Sequence, residues 1–340
     1  MGQIEGLLSW DAVKELLTGN EPAPHERPSL LVGNGASIAV SDRFGYSTLR
    51  NEATLTDLAA QLFETVGTSD FELVLHRLGT GLMINRVCGL DTQVINEAYE
   101  QIKAALIAAV REVHLPRNNY HPNGDLGDEF KSYCAIYSTN YDLLLYWAML
   151  NAECHVDNAV VDLFKGRRFD RDQEYNNDST RLMYLHGALH LFIDSQSVCR
   201  KRRNLDLSIL DQLNEDGIAR VHFVSEGTWQ AKWAKILSSD YLRYCHEQLR
   251  RDSGNIVVFG HSLNPETDQH ILNALLRHPN RFFAVSLYIE GLNNQDIHDT
   301  MNQYRVKLRG VDAERILFFD SSTHPLGVPG QDNPFACIAE

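Results

Sequence analysis

The chain has 340 residues, of which 44% are hydrophobic and 22% charged, and a formal net charge of −14. That length buries one large core with insertions, or two cores, and the composition is that of an ordinary globular protein. The acidic balance argues against a broad nucleic-acid surface, which needs clustered Lys and Arg; the basic run Arg200-Lys201-Arg202-Arg203 is read as a solvated loop. No stretch reaches the roughly 18 apolar residues of a membrane span, and the N-terminus lacks the basic-then-apolar pattern of a signal peptide, so a cytoplasmic location is expected.

Six cysteines, Cys88, Cys134, Cys154, Cys199, Cys245 and Cys337, are scattered without the close pairs of a metal knuckle or a disulfide frame. They are expected to serve as small hydrophobic filler, with no metal bound.

In chain order, Trp10 to Leu17 has apolar residues at helical spacing, and Glu21-Pro22-Ala23-Pro24 follows as a stiff connector; residues 1–28 are a leader helix ahead of the first strand. Leu30-Leu31-Val32 then runs into Gly33-Asn34-Gly35-Ala36-Ser37, the pattern of a buried strand turning into a helix. Residues without a β-carbon let a backbone approach a pyrophosphate, and the following helix would aim unpaired N–H groups at it. A dinucleotide-binding dehydrogenase would place a third glycine where Ile38 stands, and an acidic residue about 20 residues on, so hydride transfer is disfavoured.

Helical periodicity resumes at Leu55 to Val66, with Thr54 or Thr56 able to cap, again from Ser69-Asp70 through Leu78, and from about Asp91 to His114. These make a helical module at 54–127, closed by a loop from Pro116 to Gly127. Tyr133 to Tyr137 reads as a strand, followed by Ser138-Thr139-Asn140-Tyr141-Asp142 and a helix from Leu143 to Leu150. Val156 to Phe164 reads as strand or loop and Arg171 to Thr180 as exposed. Leu182 to Leu185 is a strand ending in His186-Gly187.

Residues 189–254 form a smaller insertion or lid, with strands at His190 to Ile193 and Val221 to Ser225, helices at Leu205 to Leu213 and Trp229 to Leu249, and a turn at Gly227. Ile256 to Phe259 ends in Gly260-His261-Ser262, and a helix begins near Glu266. Strands at Phe282 to Ile289 and Ile316 to Phe319 follow, and 321–340 is a C-terminal tail. The expected fold is α/β: a Rossmann-like, mostly parallel sheet flanked by helices. Polar residues at strand ends, Asn140 and Asp142 above all, stand where such a sheet places its ligand groups.

Four stations carry a resemblance: Gly33-Asn34-Gly35-Ala36-Ser37, Ser138-Thr139-Asn140-Tyr141-Asp142, His186-Gly187, and Gly260-His261-Ser262-Leu263 with Asp268. In this order and at these separations the chain resembles the sirtuin-like superfamily, which binds nicotinamide adenine dinucleotide (NAD). The Asn-Tyr-Asp and Gly-His-Ser-Leu forms are similar to the sirtuin-like domains of bacterial anti-phage defence systems, which hydrolyse NAD. The resemblance spans 29–320. It implies NAD+ glycohydrolase activity, with NAD+ as substrate and no metal. The implied assembly is a homo-oligomer working with a separate partner, such as a ring-forming ATPase or an Argonaute-like protein.

Under that resemblance Gly33, Gly35, Ala36 and Ser37 cradle the pyrophosphate, and Gly260, Ser262 and Asn293 line the adenosine half. Asn140 holds the ribose hydroxyls and a water, His186 accepts the proton, and Asp142 orients the nicotinamide amide or stabilises developing positive charge. Asp268 is read as a helix cap, with ribose contact as the alternative; His261 and Glu290 are left equally open. Protein-deacylating sirtuins carry a cysteine-bound zinc ribbon and a Pro-Asp-Phe-Arg segment; this chain has no cysteine pairs and only Asp42-Arg43-Phe44. Deacylation, ADP-ribosyl transfer, or NAD binding without turnover are the competing readings.

Overall fold

The computed structural model describes residues 4–18, 23, 26–154, 156–172, 176, 178–203, 209, 221–224 and 228–328. In chain order, β1 (Leu7–Leu8) and α1 (Trp10–Thr18) lead to β2 (Ser29–Val32). Then come α2 (Gly35–Val40), α3 (Tyr46–Glu52), α4 (Asp57–Val66), α5 (Phe71–Val87), α6 (Gln93–Val113) and α7 (Leu126–Lys131), before β3 (Ala135–Ser138) and α8 (Leu144–Asn151). The strands β4 (Val160–Val161), β5 (Phe164–Lys165), β6 (Arg168–Phe169), β7 (Thr180–Tyr184), β8 (Gly187–Ile193), β9 (Cys199–Lys201) and β10 (Val221–Phe223) follow. The last elements are α9 (Trp229–Ser238), α10 (Asp240–Arg251), β11 (Ile256–Phe259), α11 (Pro265–Leu275), β12 (Phe283–Leu287), α12 (Asn294–Lys307) and β13 (Ile316–Asp320).

Among the described residues, eight strands form one parallel sheet in the order β1-β13-β12-β11-β2-β3-β7-β4. Helices flank it, so every residue of β2, β3, β11 and β12 is buried, and the strands read as unbroken apolar runs rather than alternating ones. Leu30 pairs with Ile136 on one side and Val257 on the other. Taken in chain order, the six central strands β7-β3-β2-β11-β12-β13 have the dinucleotide-fold order 3-2-1-4-5-6, reversing direction at β2. A ligand crevice is expected beyond the carboxyl ends of β2 and its neighbours. The smaller sheet, β10-β8-β9-β6-β5, is antiparallel and starts at Phe164, before residue 189.

Several local expectations need correction. The N-terminal segment is more than a leader, because Leu7 and Leu8 extend the sheet beside Phe318 and Phe319, and Trp10 packs on Phe319 and His324. The start of the tail is likewise part of the core: His324 is buried, its Nδ1 accepts the Leu326 N–H at 3.0 Å, and its Nε2 meets the Tyr133 hydroxyl at 2.9 Å. The basic run is not a solvated loop. Lys201 is buried and paired with Asp162, and Arg202 is buried with its guanidinium 4.9 Å from the Phe192 ring centroid. Ser179 and Thr180 are buried, although the polar run around them reads as exposed. Three helices, α3, α7 and α12, fall where the sequence predicts none; α12 has only Ile297 and Met301 buried, too thin a stripe to mark a helix. The turn at Gly227 and, apart from Ile209, the helix expected at Leu205 to Leu213 lie outside the described residues.

The turns after β2 and β11 meet backbone to backbone. The Gly33 N–H donates to Phe259 O and the Gly35 N–H to Gly260 O, each at 2.9 Å. A β-carbon on Gly35 would lie 2.6 Å from Gly260 Cα, and one on Gly33 2.6 Å from Gly260 O. Gly260 also has φ +61, the left-handed region that glycine enters without strain. Gly35→Ala is therefore expected to cost about 1–3 kcal/mol in denaturant unfolding, the range for overpacking, and to fall toward its upper end because the atoms it meets are main chain.

Candidate functional site

Beyond the carboxyl ends of the central strands lies a cavity of about 420 Å³. Gly33 and Gly35 after β2, Asn140 and Asp142 after β3, His186 after β7, and Gly260 and Ser262 after β11 all line it. Seven of the ten residues expected at the site therefore share one wall system. Ala36 and Ser37 stand behind that lining, and Asn293 is elsewhere: its Oδ1 accepts the Asp296 N–H at 3.0 Å and caps α12.

The glycine turn has a structural duty of its own. Its glycines make room for each other's backbone, and most of its amides are bonded within the protein. Besides Gly33 and Gly35, the Ala36 N–H donates to Gly33 O and the Ser37 N–H to Asn34 O, both at 3.0 Å. Gly187 behaves similarly: a β-carbon there would overlap His222 O, so this glycine admits the neighbouring strand β10 and not a ligand.

Ser37 is a connector. Its Oγ donates to Asp142 Oδ2 at 2.6 Å and accepts from Asn140 Nδ2 at 2.9 Å, while the same Nδ2 donates to Gly33 O at 3.0 Å. Because Gly33 O can only accept, the amide orientation of Asn140 is set, and its Oδ1 is the atom free to take a hydroxyl or water. Asp142 Oδ1 accepts the Leu144 N–H at 2.9 Å, so both carboxylate oxygens have partners and Asp142 acts first as a positioning group at the start of α8.

Across the cavity, His186 Nε2 lies 2.9 Å from His270 Nε2 on α11 and 3.9 Å from Asp268 Oδ1. Burial pushes both imidazoles well below the ordinary histidine range, with Lys232 and the neighbouring imidazoles adding to the effect for His186. Both are neutral near pH 7, so the contact is a single N–H···N hydrogen bond. His186 is thus a weaker base than a free histidine.

Asp268 does not cap α11, whose N-cap is Asn264. Its backbone leaves helical geometry, at φ −128 and ψ 27, and its carboxylate turns to Lys232. Lys232, fully buried on α9, donates to Asp268 Oδ1 at 3.2 Å and to Glu72 Oε2 at 2.8 Å, and Tyr141 donates to the other oxygen of Glu72. Burial, the largest single influence, would raise the Asp268 pKa, but Lys232 together with the neighbouring His261 and His270 outweighs it and holds the carboxyl below its ordinary value. His261 lines the same cavity, with Nε2 4.0 Å from Asp268 Oδ2; Glu290 is elsewhere, accepting from the Tyr288 hydroxyl.

His186, Asp268 and His270 bring three donor atoms within 4.8 Å of one another, the donor set of a divalent-metal site. Lys232 already supplies the positive charge that Asp268 and Glu72 require there. Glu72, Lys232 and His270 are the site residues that sequence reasoning missed. The available signal was Lys232 standing four residues before Ile236, on the buried stripe of its own helix.

The sequence profile of a domain of unknown function (DUF4917) matches residues 30–326, and the chain belongs to that family. No curated protein matches the sequence. Among the described residues no helix is long and apolar enough to cross a membrane.

Lys232→Met leaves Asp268 buried and Glu72 half-buried without their cation, and a loss of about 3–5 kcal/mol is expected in denaturant unfolding. The pH dependence has a defined sign. Burial holds His222, His246 and His324 down to about 4 and His190 to about 3, so the unfolded chain takes up protons first as pH falls. Stability contributed by these four is present above the unfolded value of about 6.5 and lost progressively toward about pH 4. Asp70, raised to about 6 by burial and the nearby Glu72, opposes them over the same window. Four groups against one predict a urea midpoint that falls steadily from about pH 7 to about pH 5; a rising midpoint would contradict the burial of these imidazoles.

Proposed function

We propose that the chain is an NAD+ glycohydrolase, cleaving NAD+ to nicotinamide and ADP-ribose. One observation carries the reading: Asn140 and His186 converge from adjacent strand ends on one cavity, at the reversal point of a sheet with the dinucleotide-fold strand order. The resemblance of the four stations to sirtuin-like NAD hydrolases supports it independently. The wider proposal, an anti-phage effector acting as a homo-oligomer with an ATPase or Argonaute-like partner in the cytoplasm, rests on that resemblance.

The chemistry asks little of acids and more of placement. The bond between ribose C1′ and the pyridinium nitrogen breaks with its electron pair going to nitrogen, so nicotinamide leaves neutral and needs no proton. Positive charge moves onto the ribose, and water adds at C1′ and loses a proton. Asn140 Oδ1 would hold a ribose hydroxyl or that water, and His186, neutral through burial, would take the proton and share it with His270. A weak base suffices against so strong an electrophile. Asp70, Glu72, Asp142 and Asp268 line the cavity and favour both the bound pyridinium and the developing cation.

Purified chain incubated with NAD+ should release nicotinamide and ADP-ribose in equal amounts by chromatography. Asn140→Ala and His186→Ala should each slow release by roughly 10²–10⁴-fold. ADP-ribose recovered on a protein acceptor would move the assignment to transfer, and binding without cleavage in every assembly state would make the chain a nucleotide-binding subunit.

A further inference from the structure

The NAD+ reading needs a holder for its diphosphate beyond the turn after β2, since the amides of Gly33, Gly35, Ala36 and Ser37 are bonded within the protein and only that of Asn34 is left to the cavity. Among the described residues, Lys307 is the one Lys or Arg that lines the cavity. It is the last residue of α12 and is half-buried. Its Nζ donates to Ser262 O at 2.8 Å and lies 4.9 Å from the Tyr304 ring centroid, while the Tyr304 hydroxyl donates to His261 O at 3.0 Å. The end of α12 is thereby tied to the turn after β11, and the ammonium is fixed beside it.

An ammonium carries three donors, and Ser262 O occupies one. No carboxylate of the described residues lies within ion-pair distance of Lys307, whereas the cavity carboxylates Glu72 and Asp268 are gathered around Lys232. The cavity thus has a cation by the β11 turn, with acidic groups at the start of α5, on α11 and, as Asp142, after β3. Partial desolvation draws the Lys307 pKa below the ordinary lysine value, a stress that a bound anion relieves.

We propose that Lys307 is the anchor for the ligand's diphosphate, so that the cavity takes a molecule with a diphosphate beside the β11 turn and a cationic ring toward Glu72 and Asp268. This deepens the NAD+ reading and rests on it. Charge-assisted hydrogen bonds from a partly desolvated ammonium to phosphate oxygens are the strong kind, and they do not depend on the base or the leaving group.

Calorimetric titration of the full chain with inorganic pyrophosphate, ADP, ADP-ribose and adenosine tests it, using wild type, Lys307→Ala, Lys307→Gln and Lys307→Arg. Both neutral variants should bind ADP and ADP-ribose about tenfold or more weakly, with adenosine within about twofold of wild type and the arginine variant close to it. Unchanged ADP-ribose binding in Lys307→Ala overturns the anchor, as does a parallel loss of adenosine in both neutral variants. NAD+ turnover in the same samples separates the two claims. Lys307-dependent ADP-ribose binding without cleavage keeps the anchor and removes the hydrolase; cleavage with an unchanged KM in Lys307→Ala keeps the hydrolase and removes the anchor.

Discussion

The contact on which the rest of the structure depends is the one between two bare stretches of backbone, Gly33 to Gly35 after β2 and Gly260 after β11. These strands sit where the sheet reverses direction, and the chain leaves them toward opposite sides. Any side chain at Gly35 or Gly260 would push the two turns apart, because what it meets is main chain with no rotamer to change. Their closeness forms the cavity floor, turns Gly33 O toward Asn140, and presents Ser262 to Lys307. Packing of the strand ends and construction of the site are one event.

A second constraint ties the cavity walls to each other. Lys232 comes from α9, Glu72 from α5 in the helical module, and Asp268 from α11 next to the sheet. A buried ammonium between two carboxylates holds these segments in one arrangement, and desolvation makes each partner dependent on the others. Asp268 is thereby kept ionised beside His186 and His261, while burial keeps both imidazoles uncharged. The site thus combines fixed negative charge with neutral bases, which suits chemistry that creates a cation without proton donation.

Much of the sheet was legible in the sequence. Leu30 to Val32, Ile256 to Phe259 and Phe283 to Leu287 are strands covered on both faces, and such strands announce themselves as apolar runs ending in glycine or polar residues. Asn140, Asp142 and His186 were legible for the same reason, standing where those runs stop. Less legible were elements whose buried face is small. α12 has two buried residues among polar ones, and β1 is two residues long, so neither stands out from loop. The basic run at Arg200 gave the wrong reading because composition cannot reveal that Lys201 finds Asp162.

By itself the sequence determined the α/β class, the run of buried strands and the polar groups at their carboxyl ends, because each depends on neighbours within a few residues. Only the tertiary structure decided what those groups do. Ser37 became the link between Asn140 and Asp142, the glycines came to make room for each other's backbone, and Asn293 became a cap. Asn140 meets Gly33 across 107 residues of chain, His186 meets His270 across 84, and Lys232 meets Glu72 across 160. Contacts of that range are set by the order in which strands join the sheet and by how an inserted helix packs on it. No local pattern of residues encodes that order, so the partners of the buried charges emerge only when the chain has closed around them.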